Sequence, residues 1–367
     1  MKGLKFFAVL FLLLSLFTFP VFAGNELSDF FDSLDNESKN AFPDGFDDEI
    51  REGDGTDAVK SLDGQFIIKA IIKLLKTALS DTAPFLTSLI AVIFFSALAN
   101  TFFDRDTDKP QSIISSMCCV LCCLNIIKPL LESTKNALES MSLIIKASLP
   151  VMAVLGAGSG QASSTAVNSL WLNTQLALLE QLSQSVIMPI CTVCLTFITV
   201  NAVLKETGGT DLSGIVNAIK KIFTFFITLL SSALCIAMSF QSVVAKGSDG
   251  VLIRSIKFAS ASAIPIVGGA LSEAAGTYLS SFSLIKSSFG AICAFAVVMS
   301  VLPLLLKLFA FKAALTFSYT ASGLLGSSLS LLIKEFSSVI DLLISVICLC
   351  AVSFTVAIAS FSSVVTV

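Results

Sequence analysis

The chain has no histidine at all among its 367 residues. Histidine is the commonest general base in enzymes and the commonest zinc ligand, and its side chain changes charge near neutral pH. Serine–histidine and cysteine–histidine catalysis are therefore excluded, and so is a histidine-based pH switch. The phosphate-binding sequence G-x-x-x-x-G-K-[ST] is also absent, so any ATP hydrolysis has to come from a partner protein.

Charged residues are scarce as well. They make up 13% of the chain, whereas 55% of the residues are hydrophobic and the mean hydropathy is +0.90. Soluble domains are about one quarter charged, and the segments that cross a bilayer in such apolar chains are helices. The composition therefore predicts an all-α polytopic membrane helical bundle. A net charge of −3 gives no support for nucleic-acid binding.

Residues 1–23 have the pattern of a secretory signal peptide. Two lysines precede an apolar run from Phe6 to Phe19, and a Val-Phe-Ala sequence ends at Ala23. We expect cleavage after Ala23. An uncleaved membrane anchor is the alternative, since the apolar run is long for a signal core. In either case residue 24 lies outside the cytoplasm.

Two short regions separate this segment from the apolar body. Residues 24–63 contain thirteen of the 26 acidic residues and only three basic ones, which predicts a largely disordered, extracytoplasmic acidic linker. Residues 64–80 carry three lysines on one helical face (Lys69, Lys73 and Lys76). This pattern is typical of an amphipathic helix that lies on the membrane surface with its lysines at the lipid head groups. Packing of this helix against the protein body is the alternative.

The remaining residues, 81–367, form the predicted polytopic membrane domain. A crossing needs about 20 apolar residues, and proline and glycine interrupt two of the candidate segments. We therefore expect six to eight crossings. The eight candidate segments are 84–103, 111–131, 141–159, 185–204, 222–245, 258–280, 286–310 and 338–360.

Residues 141–245 and 255–360 resemble each other. Four landmarks recur at a nearly constant separation: Pro150 and Pro265, Pro189 and Pro303, Lys220 and Lys334, and Phe240 and Phe354. With three apolar segments in each copy, the second copy would lie upside down relative to the first. This is the arrangement of inverted-repeat membrane proteins, which hold a site between their halves. The alternative is that apolar segments resemble each other without duplication.

Each copy contains a stretch in which proline, glycine and serine interrupt an apolar run. Backbone groups freed by such a break must be satisfied inside the protein or by water. We therefore predict that the two breaks face each other as a central gate or cavity; close packing of small residues between helices is the alternative. The acid best placed to act there is Glu273. The candidate residues are Pro150, Gly156, Gly158 and Gly160 in the first copy and Pro265, Gly268, Gly269 and Glu273 in the second.

The ten cysteines include a CCxxCC sequence formed by Cys118, Cys119, Cys122 and Cys123. Such spacing can hold a metal ion or a cluster. However, these cysteines lie in an apolar segment with no carboxylate nearby, and cysteine often serves as a small apolar residue in buried helices. We therefore predict no metal site and no cofactor.

The stretch around the second break also resembles a known family. The sequence Arg254-Ser-Ile-Lys257-Phe-Ala, followed by Ile264-Pro265-Ile-Val-Gly-Gly-Ala-Leu-Ser and then by Lys286, is similar to that of the stage III sporulation protein AE family. The resemblance runs over most of residues 65–360 and is densest at 250–290.

This resemblance implies a multi-span subunit in the mother-cell membrane that faces the forespore. The subunit would belong to a transenvelope, secretion-like channel complex that links the two cells during endospore formation. Its expected partners are other membrane subunits, membrane lipid and an ATPase supplied in trans, and it would not itself be an enzyme. The alternative is a stand-alone secondary transporter or permease with a site between the two copies.

Overall fold

A computed structural model describes residues 64–102, 108–206, 213–263, 268–327 and 329–362. Within these ranges the chain forms α-helices, one π-helical turn and no strand, in agreement with the all-α prediction. The expected signal peptide and acidic linker lie outside the described residues. The elements are α1 (Gly64–Phe102), α2 (Asp108–Gly158), α3 (Ala162–Gln181), the π-helical turn (Leu182–Ile187), α4 (Met188–Glu206), α5 (Ser213–Ala263), α6 (Gly268–Leu324) and α7 (Ser330–Ser362).

Five stretches of the described helices are long and apolar enough to cross a membrane. They lie in α1, in α2, across the π-helical turn and α4, in α6 and in α7. In length and composition these stretches agree with the predicted membrane helical bundle. The five stretches are Ile72–Ala99, Gln111–Gly158, Ser185–Leu204, Cys293–Leu324 and Ser330–Ala359.

Several segments expected to be separate crossings belong to single helices. The segments 111–131 and 141–159 both lie on α2, which contains Pro129 and Pro150 without ending at either. In the same way α6 joins most of 258–280 to 286–310 and contains Pro303. Proline lacks only one amide donor, and neighbouring helices can accommodate it in a membrane protein. Pro150 therefore does not end its helix.

The segment 64–80 is not a separate element either. It forms the first turns of α1, which continues through Pro84 into the apolar stretch that ends at Ala99. Lys73 and Lys76 are both exposed on this helix. The segment 64–80 is thus the N-terminal part of the helix that contains the first candidate span, and this helix is not interrupted at residue 80.

Helix α5 affects the proposed inversion of the two copies. It runs without interruption from Ser213 to Ala263, so it contains the last segment of the first copy and the start of the second. Both pieces therefore point in the same direction. Inversion requires three separate crossings in each copy, and the described path of the chain does not provide them.

The centre of the molecule is the antiparallel pair α6 and α7, which has the most extensive contact between helices in the described residues. The most apolar windows of these two helices are 72% and 67% buried, compared with 28% and 33% in α1 and α2. Helices α1, α2 and α5 pack on α6, and α2, α3, α4 and α5 pack on α7. Helices α2, α5 and α6 have 51, 51 and 57 residues. At 1.5 Å per residue they are about 75–85 Å long, well beyond a hydrocarbon layer of about 30 Å.

Candidate functional site

The first predicted break lies between α2 and α3. The chain turns at Ser159–Gln161, where the amide of Gln161 donates to the carbonyl of Gly156 (3.0 Å) and that of Gly160 donates to Ala157 (3.0 Å). This pair of bonds is the Schellman arrangement, which satisfies the last carbonyls of a helix. Gly160 has φ of 74°, a conformation that favours glycine. The glycine at 160 therefore marks the true end of α2.

Two further glycines allow close approach of neighbouring helices to this turn. A Cβ atom on Gly156 would lie 2.0 Å from Thr165 Oγ1 of α3, and one on Gly158 would lie 2.6 Å from Phe282 Cδ1 of α6. Both distances are well below van der Waals contact. The end of α2 is therefore packed against α3 on one side and α6 on the other, as expected for small residues between helices.

Asp249 of α5 caps the start of α3. Its carboxylate accepts hydrogen bonds from the backbone amides of Ser163 and Ser164, each at 2.9 Å, and from the hydroxyl of Ser164. The Asp249 side chain is fully buried. A helix begins with unpaired amides and a partial positive charge, so a buried carboxylate is stabilised there.

Lys286 of α6 supplies a second buried ionisable side chain, which is only 1% exposed. Its Nζ donates to Gln161 Oε1 at 2.7 Å and lies 5.3 Å from the centre of the Phe361 ring of α7. The Gln161 amide nitrogen also contacts Ser283 Oγ at 3.4 Å. The carboxamide and the aromatic face both interact favourably with a cationic ammonium.

Together these contacts form one junction, which we call the break cluster. We define it by Gln161, Ser164, Asp249, Ser283 and Lys286. It joins the turn after α2 and the first turn of α3 to α5 and α6, and Phe361 extends it to α7. Each of its polar groups contacts another element of the bundle, so the cluster holds these elements together. A buried junction of this kind fixes the relative positions of helices that otherwise pack through apolar contacts.

The structure brings only part of the predicted site together. Gly156, Gly158 and Gly160 border the break cluster, and Lys286 belongs to it. Pro150 is exposed and lies within α2.

The second predicted break contributes none of its described residues to the break cluster. Pro265 lies outside the described residues, and Gly268 and Gly269 are the first residues of α6. Glu273 is exposed on α6, ten residues before Ser283 and hence about 15 Å from it along the helix. Glu273 therefore does not belong to the break cluster, and its role at a central gate stays a prediction. Arg254 is exposed on α5, and the Lys257 side chain is not among those described.

A second buried polar group lies where α4, α5 and α7 meet. Lys220 of α5 donates to the backbone carbonyl of Glu335 at 3.3 Å and to the Ser338 hydroxyl. The Asn201 amide approaches both carboxylate oxygens of Glu335, at 3.3 and 3.5 Å. Lys220 and Glu335 are each 8% exposed, whereas Lys334, the counterpart of Lys220 in the second copy, is exposed. The shared landmark thus has different environments in the two copies.

No group of three or more histidine, cysteine or acidic side chains in the described part of the chain could hold a metal ion. Cys119 and Cys123 are buried among apolar residues, whereas Cys118 is exposed.

Sequence reasoning missed Asp249, Ser283 and the role of Gln161. Asp249 follows Lys246-Gly-Ser, which resembles a loop between two crossings but lies within α5. The sequence does contain one indication of a buried role for Asp249, which is the only acid in this short polar interruption. An isolated carboxylate near apolar segments needs a partner.

Comparison with known proteins identifies a family for this chain. The sequence profile of the family described as Stage III sporulation protein AE matches residues 47–364. Stage III sporulation protein AE of Bacillus subtilis (strain 168) is 25% identical over 241 residues, which cover 63% of this chain and 58% of that protein. The chain thus aligns with somewhat more than half the length of this relative. No solved structure matches the chain. Because the profile covers all of the described helices and well over half of the chain, the chain belongs to the stage III sporulation protein AE family.

Proposed function

We propose that the protein is a non-enzymatic, multi-span subunit of a transenvelope channel complex that links mother cell and forespore during endospore formation. The observation that carries this proposal is the family match over residues 47–364, which includes all five apolar stretches of spanning character. Its place is the mother-cell membrane that faces the forespore. Its partners are other membrane subunits and membrane lipid, with an ATPase supplied in trans.

The break cluster supports a structural role for this subunit. Asp249 caps α3, and Gln161 binds Lys286, so each of these buried polar groups has a partner on another element, and the contacts tie α3 to α5 and the turn before α3 to α6. Charged side chains inside a membrane bundle are costly unless paired. A junction that keeps such groups satisfied favours one fixed arrangement of helices, which a subunit needs in order to present a constant surface to its neighbours.

The topology belongs to the same proposal. Residues 1–23 act as the signal peptide and residues 24–63 lie outside the cytoplasm. Terminal sequencing of the purified protein would give Gly24 as the first residue, and a reporter at residue 40 would be extracytoplasmic. A mature chain that retains residues 1–23, or a cytoplasmic reporter, would contradict this part of the proposal.

The main test is affinity purification from sporulating cells of the native host after membrane crosslinking, combined with counts of heat-resistant spores. We expect other sporulation membrane proteins to copurify with the wild-type protein. We also expect the substitution Gln161→Leu to lower both copurification and spore counts, while Lys334→Met changes neither. If the purified protein carries no sporulation partner and its deletion leaves spore counts unchanged, the proposed function is wrong and a stand-alone permease becomes the better explanation.

A further inference from the structure

Helix α3 has a polar face in the interior of the bundle. Thr165, Asn168 and Gln175 are 6, 1 and 3% exposed. Together with Leu172 they follow Gln161 at positions i+4, i+7, i+11 and i+14, so all of them lie on one side of the helix. Apolar side chains normally occupy such a buried stripe. Here an apolar residue occurs only at Leu172 among these five positions.

Beyond Gln161, the polar side chains of this face have no hydrogen-bond partner in the described protein. Thr165 Oγ1, both polar atoms of Asn168 and both polar atoms of Gln175 are buried without a hydrogen-bond partner in the described protein, and so is Ser169 Oγ on the flank. Native proteins rarely leave buried polar side chains unsatisfied, and each exception calls for an explanation. Several such groups on one helix indicate that something other than protein satisfies them.

The rest of α3 shows that this polarity is specific to one face. Leu170 lies on the opposite side and is 69% exposed, as expected for a side chain that faces lipid. Helix α3 packs against α2 and α7, which both contain stretches of spanning character, but α3 is not among the apolar stretches itself. From Thr165 to Gln175 the polar face extends for about 15 Å, or half of a hydrocarbon layer.

We propose that the buried face of α3 lines an internal hydrated site that takes water and small uncharged polar solutes. The chemistry of the lining selects this class of ligand. Carboxamides and hydroxyls offer both donors and acceptors without net charge, and water bound by two to four such groups is a regular part of protein interiors. Leu172 divides the site into a part next to the break cluster and a part around Gln175.

This inference goes beyond the proposed function, because a subunit that only packs within an assembly needs no wetted interior. It also stands independently of the sporulation role, since it rests on the unpartnered groups of α3 alone. A result against hydration would therefore leave the proposed function unchanged, and the loss of the sporulation partners would leave the hydrated site unchanged.

The test uses the full-length protein in lipid nanodiscs and the reaction of cysteine with N-ethylmaleimide, followed by peptide mass spectrometry. Only the thiolate reacts, and it forms in the presence of water. We expect Asn168→Cys to be labelled about tenfold or more faster than the native Cys293, which is 0% exposed in the apolar core. The matched control Leu170→Cys, on the lipid side of the same helix, should react as slowly as Cys293. Labelling of Asn168→Cys at the rate of Cys293 would overturn the proposal.

A second variant keeps the test decisive if the cysteine variant folds poorly. In a dry interior, Asn168→Leu would remove an unsatisfied polar group and raise the melting temperature. In a hydrated site, leucine displaces water that also satisfies neighbouring polar groups, so the melting temperature stays the same or falls. A higher melting temperature for Asn168→Leu would therefore contradict hydration.

Discussion

The contact between Gln161 and Lys286 allows a quantitative prediction. The Lys286 Nζ atom donates to Gln161 Oε1 at 2.7 Å, and each side chain is 1% exposed. A hydrogen bond to a charged group contributes about 1.5–3 kcal/mol to stability. We therefore expect Gln161→Leu to lower the free energy of unfolding by about this amount. Lys286→Met leaves a buried carboxamide oxygen without this donor, which costs about 1–3 kcal/mol.

The double variant is the informative one. Replacing both partners by apolar side chains of similar shape can be nearly neutral, because neither member of this contact is then left buried without the other. The combination of Gln161→Leu with Lys286→Met should therefore be less destabilising than the sum of the two single changes. The expected interaction energy is about 1–3 kcal/mol, which is the range for residues in direct contact.

The only tryptophan of the chain provides the assay. Trp171 lies on α3, ten residues after Gln161, so its fluorescence reports on the helix that begins at the break cluster. Unfolding of the four proteins in detergent would be followed through this signal, with Lys334→Met as a control at an exposed lysine. If the two single effects add to within about 0.5 kcal/mol, the residues are not coupled and the reasoning is wrong.

Three further predictions use the same unfolding assay. Gly156→Ala should cost about 1–3 kcal/mol, because its Cβ would lie 2.0 Å from Thr165 Oγ1; Gly323→Ala, with no atom within 4 Å, should not be destabilising. Asp249→Ala should cost about 0.5–2 kcal/mol through loss of the α3 cap, and an unchanged protein would show that the cap is not needed. Cys118→Ala, at an exposed cysteine, should stay within about 0.5 kcal/mol of wild type; a large loss would instead support a metal role for CCxxCC.

Composition and local pattern predict the features of this fold that depend on short stretches of chain. An apolar composition leads directly to helices, since no other open structure satisfies its backbone in lipid. The glycines at 156, 158 and 160 predict a break, and Gly160 does end α2 in a left-handed conformation. Lys286, taken from the family resemblance, lies at the break cluster.

Other features depend on distant contacts and could not be predicted in this way. Pro150 and Pro303 interrupt apolar runs in the sequence, but both lie inside continuous helices. Whether a proline ends a helix depends on the neighbours that satisfy the freed carbonyl, and those neighbours are far away in the chain. Asp249 is a similar case, because its partners Ser163 and Ser164 are 86 and 85 residues away.

The two similar stretches of sequence contact each other through Gln161 and Lys286 and through Lys220 and Glu335. The first copy contains the turn at Gly160, and the second copy covers that turn with an unbroken helix through Phe282 and Lys286. Lys220 in the first copy is buried against Glu335 of the second, whereas the equivalent Lys334 is exposed. A symmetric pair would place equivalent residues in equivalent surroundings. Here the matching residues have different partners. The similarity between the two stretches therefore extends to the order of their helices but not to their polar contacts, which involve residues that differ between them.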